Sequence, residues 1–187
     1  DQIEGEGYDR ADTGLPAAHL QLLRAVAEVN RRVVVVNMSG SAVDLRPILE
    51  ESRAVLHAWL PGQAGGAAIA RVLFGLADPS GRLSETFPVE LEHNPSYLSF
   101  PGTIDRVDYS GGVFVGYRHY DTRKLPVSFP FGYGLSYTSF VYEDLRVQQL
   151  GSDGSPSFCV TVDIRNAGDR PGAEVVQLYI RDVASFE

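Results

Sequence analysis

From Leu15 to Val29 the apolar positions recur at helical spacing. Leu20, Leu23 and Ala27 share one face, Leu22, Val26 and Val29 the neighbouring one, while Gln21, Arg24 and Glu28 point to the polar side. Pro16 suits a first turn, and Asn30-Arg31-Arg32 closes the segment with cations where the helix dipole favours them. The pattern then changes. Val33–Asn37 is a β-branched run without alternation, which predicts a strand covered on both faces, as in a parallel sheet. A helix over Ala42–Glu51, a second apolar run over Ala54–Leu60 and an alanine-rich helix over Ala67–Leu76 follow. Alternating β and α units of this length predict a parallel sheet with crossover helices. Such sheets place their sites on loops at the carboxyl ends of the strands, here Met38–Ser41 and Pro61–Gly66.

Past a turn at Asp78–Arg82 and a short strand over Leu83–Phe87, the periodicity disappears from Pro88 to Pro126. A loop of that length is functional or wraps another surface. Its rings Phe114, Tyr117 and Tyr120 suit either stacking on a sugar or packing between domains, and packing is the favoured use. After the tight turns of Phe129–Thr138, the runs Phe140–Leu150, Ser157–Asn166 and Ala173–Arg181 read as strands joined by Gly-, Asp- and Pro-bearing turns. Three strands only begin a sandwich of the immunoglobulin type, which needs about seven. The expected fold class is therefore α/β: a partial parallel-sheet α/β sandwich over residues 1–125, then a linker and an incomplete antiparallel β-sandwich over residues 126–187.

Composition narrows the function. An apolar fraction of 44% over 187 residues supports a real core. A formal charge of −8 with no cluster of Lys and Arg argues against nucleic acid as a partner, and no apolar run is long enough to expect a membrane span. The sequence opens without methionine and inside a motif, so the lack of a signal peptide leaves the compartment open. Cys159 is the single cysteine, which excludes an internal disulfide, and its strand-like surroundings predict a buried structural thiol. His19, His57, His93 and His119 are scattered without metal-ligand spacing, so neither metal nor cofactor is expected. Ser39 and Ser41 follow a strand and precede a helix, the order of a nucleophile elbow. However, G-x-S-x-G is not met, and a helix N-cap is the simpler use of Ser41.

The chemistry-bearing stretch is the first. Asp1–Arg10 sets Glu4 and Glu6 among Gly5 and Gly7, with Tyr8, Asp9 and Arg10 directly behind. The glycines break helix and strand alike and let a substrate approach the backbone closely. A carboxyl on such a loop can enter a cleft and have its pKa raised by desolvation, as a general acid requires. A solvated acidic loop is the competing reading from residue types alone.

Seven runs in order decide between them: Gly5-Glu-Gly-Tyr-Asp-Arg10, Val33-Val-Val-Val-Asn-Met-Ser-Gly40, Ala58-Trp-Leu-Pro-Gly-Gln63, Asp78-Pro-Ser-Gly-Arg-Leu83, Thr86-Phe-Pro88, Phe114-Val-Gly-Tyr-Arg-His-Tyr-Asp121 and Phe131-Gly-Tyr-Gly-Leu-Ser-Tyr-Thr138. Together they resemble glycoside hydrolase family 3, the β-glucosidase and β-xylosidase family. The resemblance implies the later part of an α/β-sandwich domain and the opening of a fibronectin type III-like domain. It further implies a β-linked oligosaccharide or glycoside as substrate and a TIM-type barrel, absent from this sequence, carrying an aspartate nucleophile. Glu6 takes the position of the general acid/base, with Glu4 as runner-up. Tyr8 takes a substrate-binding position on the aglycone side, and Asp9 with Arg10 an ion pair that shapes the loop. Ser84 stands where proline is common and His119 where tyrosine is frequent, and both read as structural. Without its barrel the chain is expected to be inactive by itself. The alternative is a non-catalytic carbohydrate-binding or assembly module.

Overall fold

Val34–Asn37 (β1) and Ala54–His57 (β2) pair in parallel, Val34 opposite Ala54 and Asn37 opposite His57. The computed structural model describes residue 5, residues 7–151 and residues 157–184. Two compact units are present among them: one gathers Asp1–Ile69, Arg82–Tyr133 and Tyr179–Glu187, the other Ala70–Gly81 and Gly134–Leu178.

In the first unit, Ala17–Val29 (α1) and Arg46–Glu51 (α2) pack beside the parallel pair. Of the two apolar stripes on α1, the Leu20–Leu23–Ala27 stripe is the inward one; Ala27 is 1% exposed, whereas Leu22, Val26 and Val29 face solvent. Asn30 ends the helix in an extended conformation, its side chain accepting from the Arg32 amide at 2.9 Å. The expectation that β1 is covered on both faces is corrected, because Val34 is half exposed. A pair of strands with a helix against one side covers only that side.

α2 also begins later than the periodicity predicts. The Asp44 carboxylate accepts from the Arg46 amide at 3.0 Å, and Leu45 rather than Ser41 stands at the N-cap. Residues 42–45 are instead spent on the core: Val43, Leu45, Ile48 and Phe87 form its buried centre, with Leu15, Leu20, Leu23 and Phe129 packed around them. Phe87 is 0% exposed. The predicted strand over Leu83–Phe87 shrinks to Phe87–Pro88 (β3), which pairs antiparallel with Val127–Phe129 (β4). Leu83 exchanges backbone hydrogen bonds with Gly132 and Tyr133 at 2.8 Å, tying off the turn rather than extending a ladder.

The aromatic loop is more ordered than its lack of periodicity suggested. It contains a 3-10 turn at Leu91–His93 and a helix, Tyr117–Arg123 (α4), which buries Tyr120. Lys124 in the left-handed region closes α4. Tyr117 stacks on Phe131 and meets Tyr179 edge-on, so its packing lies within the first unit.

Gly65–Leu73 (α3) runs earlier and shorter than predicted. It stops because Gly75 takes φ +70°, with the Leu76 amide reaching back to Arg71 O at 2.8 Å, a glycine-terminated C-cap. In the second unit, Asp78 accepts from the Ser136 hydroxyl at 2.8 Å and from the Tyr137 amide at 2.7 Å. Phe140–Leu150 (β5) and Ser157–Asn166 (β6) form an antiparallel ribbon with an irregularity between Glu143 and Arg146, where Asp144 has φ +51°. Two expectations fail here. Residues 173–181 form no strand among the described residues, since a strand needs an edge to pair with and the described ladder ends at two members. Cys159 is exposed, because both faces of so thin a ribbon meet solvent. The fold class is nonetheless α/β followed by an incomplete antiparallel β module.

Candidate active site

Glu6 and Glu4, the two acid/base candidates, lie outside the described residues. Their neighbours are placed. Gly5 and Tyr8 form an isolated antiparallel bridge, and a Cβ on Gly5 would come within 2.8 Å of the Tyr8 ring. Glycine lets the ring lie over the backbone there, and a Cβ would displace the ring from that position. Tyr8 itself is 44% exposed, so it presents an aromatic surface to solvent. Arg10 donates from Nε to Asp12 O at 3.1 Å and from Nη2 to Gly14 O, while the Gly14 amide donates to Asp12 Oδ1 at 2.8 Å. Arg10, Asp12, Gly14 and Leu15 help line a shallow open cavity of about 260 Å³.

This segment rests on the loop that leaves β1. The Asp44 amide donates to Thr13 O at 2.7 Å, and Leu15 packs on the buried Val43–Leu45 cluster. Arg46 holds the Asp44 carboxylate with two hydrogen bonds of 2.8 Å. Burial pulls Asp44 upward, but its hydrogen bonds and the Arg46 charge outweigh that and leave the carboxyl below its ordinary value. Glu85, two residues before β3, reaches the same loop. Its carboxyl is raised by desolvation, an effect that a hydrogen bond from the Ala42 amide partly offsets.

A polar cluster that matches no sequence motif lies at the carboxyl ends of β1 and β2. Asn37 Nδ2 lies 2.9 Å from His57 Nδ1 and 3.2 Å from Ser39 Oγ, and the buried Ser39 hydroxyl donates to Ser41 O at 2.9 Å. An amide nitrogen only donates, so His57 Nδ1 must accept and the ring proton sits on Nε2. That nitrogen is buried and finds no hydrogen-bond partner among the described residues. The ring meets Trp59 and Phe87 edge-to-face, with centroids 4.3 and 5.2 Å away. Trp59 carries φ +50°, a strained backbone for a bulky side chain that costs about 1–3 kcal/mol. The available signal was a polar residue closing the first apolar run, Asn37, and one interrupting the second, His57. Ser39 is therefore a hydrogen-bond relay, which accounts for it without a nucleophilic role.

Burial lowers the His57 pKa from 6.5. The neutral ring is favoured by folding, so its contribution to stability is complete above about pH 6.5 and declines as the pH falls toward the depressed folded value. Denaturant midpoints measured from pH 7.5 to 5 should fall more steeply for the wild-type chain than for His57→Asn. Parallel curves would contradict a neutral buried histidine.

No grouping of three or more His, Cys, Asp or Glu with metal-binding geometry occurs among the described residues. No helix there is long and apolar enough to cross a membrane.

Comparison with known proteins gives the family. The model of the glycosyl hydrolase family 3 C-terminal domain matches residues 1–137. The chain belongs to glycoside hydrolase family 3. It is 50% identical to the thermostable β-glucosidase B of Acetivibrio thermocellus over 185 residues, covering 99% of this chain and 24% of that protein. It is 42% identical to an exo-α-(1→6)-L-arabinopyranosidase of Bifidobacterium longum, covering 95% of this chain and 23% of that protein. The crystal structure of the family 3 β-glucosidase of Bifidobacterium adolescentis superposes with a TM-score of 0.83 at 42% identity, covering 88% of this chain and 24% of that one. The chain spans about a quarter of the length of these relatives.

Proposed function

We propose that this chain is part of a retaining β-glycosidase, β-glucosidase-like, that hydrolyses terminal non-reducing β-D-glycosyl residues. In this reading the chain supplies the general acid/base, Glu6, and a separate barrel domain supplies the aspartate nucleophile. The observation that carries the reading is family membership together with the Glu6-Gly-Tyr-Asp-Arg10 run.

A retaining glycosidase sets two carboxyl groups about 5–5.5 Å apart across the glycosidic bond. The barrel aspartate attacks the anomeric carbon while Glu6 protonates the departing oxygen, so the leaving group departs as a neutral alcohol. Glu6, now a carboxylate, then takes a proton from the incoming water, which displaces the aspartate and restores both groups. Glycine on either side of Glu6 removes side-chain bulk from the backbone beside the scissile bond. The exposed Tyr8 ring is suited to the aglycone, with its apolar face against the sugar or aryl group. Choice of sugar is assigned to the barrel, in keeping with relatives named for β-glucosides and for an arabinopyranoside.

The division of labour is open to direct labelling. A 2-deoxy-2-fluoro-β-glucosyl fluoride destabilises the oxocarbenium-like transition states and arrests the covalent intermediate. Applied to the full-length protein, it should leave a fluoroglycosyl ester on an aspartate outside these 187 residues. An adduct on any residue of this chain would overturn the proposed division.

A further inference from the structure

We infer that Asn37 and His57 are positioning residues for the acid/base loop, clamping together the carboxyl ends of β1 and β2 and fixing the loop on which the Tyr8–Leu15 segment rests. The inference builds on the assignment of Glu6 as the acid/base. It is carried by a continuous run of contacts. His57 Nδ1 accepts from Asn37 Nδ2 at 2.9 Å; the same nitrogen donates to Ser39 Oγ at 3.2 Å; the Ser39 hydroxyl donates to Ser41 O at 2.9 Å. Three residues later the Asp44 amide holds Thr13 O at 2.7 Å, and Arg10 braces the turn through Asp12 O and Gly14 O. The first two links join side chains and the later ones hold the Ser41 carbonyl, the Asp44 amide and the Thr13 carbonyl, so the side-chain clamp is tied to the backbone of Ser41–Asp44 and, through Thr13, to the segment that follows Glu6 in sequence.

The polarity of the run has one direction. Asn37 spends both amide hydrogens, on His57 and on Ser39, and the Ser39 hydrogen is committed to Ser41. A side chain at 57 that cannot accept leaves one Asn37 hydrogen without its buried partner, and the low-cost response is to rotate the amide and release Ser39. Rings of Trp59 and Phe87 hold His57 in place, so the acceptor is presented at a fixed position. Glycosidic proton transfer is sensitive to such placement, since a displacement of about 1 Å can cost about 100-fold in rate. The chemistry most exposed to it is cleavage of glycosides whose leaving group needs a proton.

The test uses the full-length protein and two β-glucosides, one with an alkyl aglycone and one with dinitrophenol. His57→Leu keeps the apolar contacts and removes the acceptor. It should lower kcat/KM at least about 10-fold for the alkyl glucoside and no more than about 3-fold for the dinitrophenyl one. His57→Asn, which returns an acceptor near the Nδ1 position, should recover most of the loss. Ser39→Ala, a smaller change, should show the same split and serves if His57→Leu does not fold. Equal losses on both substrates, or no loss, in folded variants would overturn the clamp. Glu6→Gln run in parallel separates the two ideas: a split there without one at position 57 or 39 defeats the clamp alone, and no split at Glu6 defeats both.

Discussion

Glu6→Gln in the full-length protein is expected to slow hydrolysis of alkyl β-glucosides by about 10²–10⁴-fold, the range typical of a lost general acid. The alkoxide leaving from such a substrate is a strong base and departs poorly without a proton. Dinitrophenolate is stable as an anion, so the glycosylation step with that aglycone should change little. Deglycosylation then becomes limiting, because water has lost its base, and KM should fall together with kcat as the glycosyl-enzyme accumulates. Glu4→Gln and Glu85→Gln serve as controls. Glu4 is the other acid of the same loop, and Glu85 is the described carboxyl that desolvation raises. Its contact with the Ala42 amide supports a structural part, so neither control should discriminate between aglycones. A leaving-group split at either of them, with none at Glu6, would move the acid/base elsewhere.

The second large effect concerns stability. Phe87→Ala should destabilise the first unit by about 3–5 kcal/mol, the usual cost of truncating a fully buried aromatic side chain. Phe87 is the fully buried large side chain of the described core, and it touches His57, Trp59 and Phe129 edge-to-face. Its loss removes packing from β3 and β4 and unseats the His57 ring. Since domains are stable by only about 5–15 kcal/mol, the variant should unfold at a much lower urea concentration. Phe87→Leu, which keeps more of the volume, should lose distinctly less. Equal midpoints for Phe87→Ala and wild type would show that this cluster is not the centre of the fold.

How far the sequence foretold this arrangement depends on which signal was present. The stripe of Leu20, Leu23 and Ala27 identified both a helix and its buried face, because helical periodicity is written directly in residue type. The parallel pairing of the two apolar runs was legible from a different signal, the alternation of β and α units along the chain. Residues 42–45 were misassigned to a helix because Val43 and Leu45 are apolar for a different purpose: they fill the core from a loop that the Asp44 side chain terminates. The short helix at Tyr117–Arg123 left no sequence period, being only two turns long and held by the burial of Tyr120. Residues 173–181 are rich in β-branched and aromatic residues as a strand is, yet composition is only half of a strand; the other half is a neighbour's edge.

The candidate site shows the same contrast. Glu6 and Tyr8 were singled out through a motif, which fixes residue type and spacing. Asn37 and His57 belong to no motif of acids and bases; their importance lies in meeting across twenty residues of chain at 2.9 Å. Only register, Asn37 opposite His57, brings the two together, and register is a property of the folded sheet.

The assignment of the proton donor can be tested through the product formed when azide replaces water. In Glu6→Ala of the full-length protein, azide needs no general base and can displace the barrel aspartate from the glycosyl-enzyme, forming a carbon–nitrogen bond and freeing the carboxylate. The account predicts restored turnover of dinitrophenyl β-glucoside with release of β-glucosyl azide, read by the anomeric proton in the NMR spectrum. Release of α-glucosyl azide would make Glu6 the nucleophile, and absence of any azide product in a folded variant would remove it from the chemistry altogether.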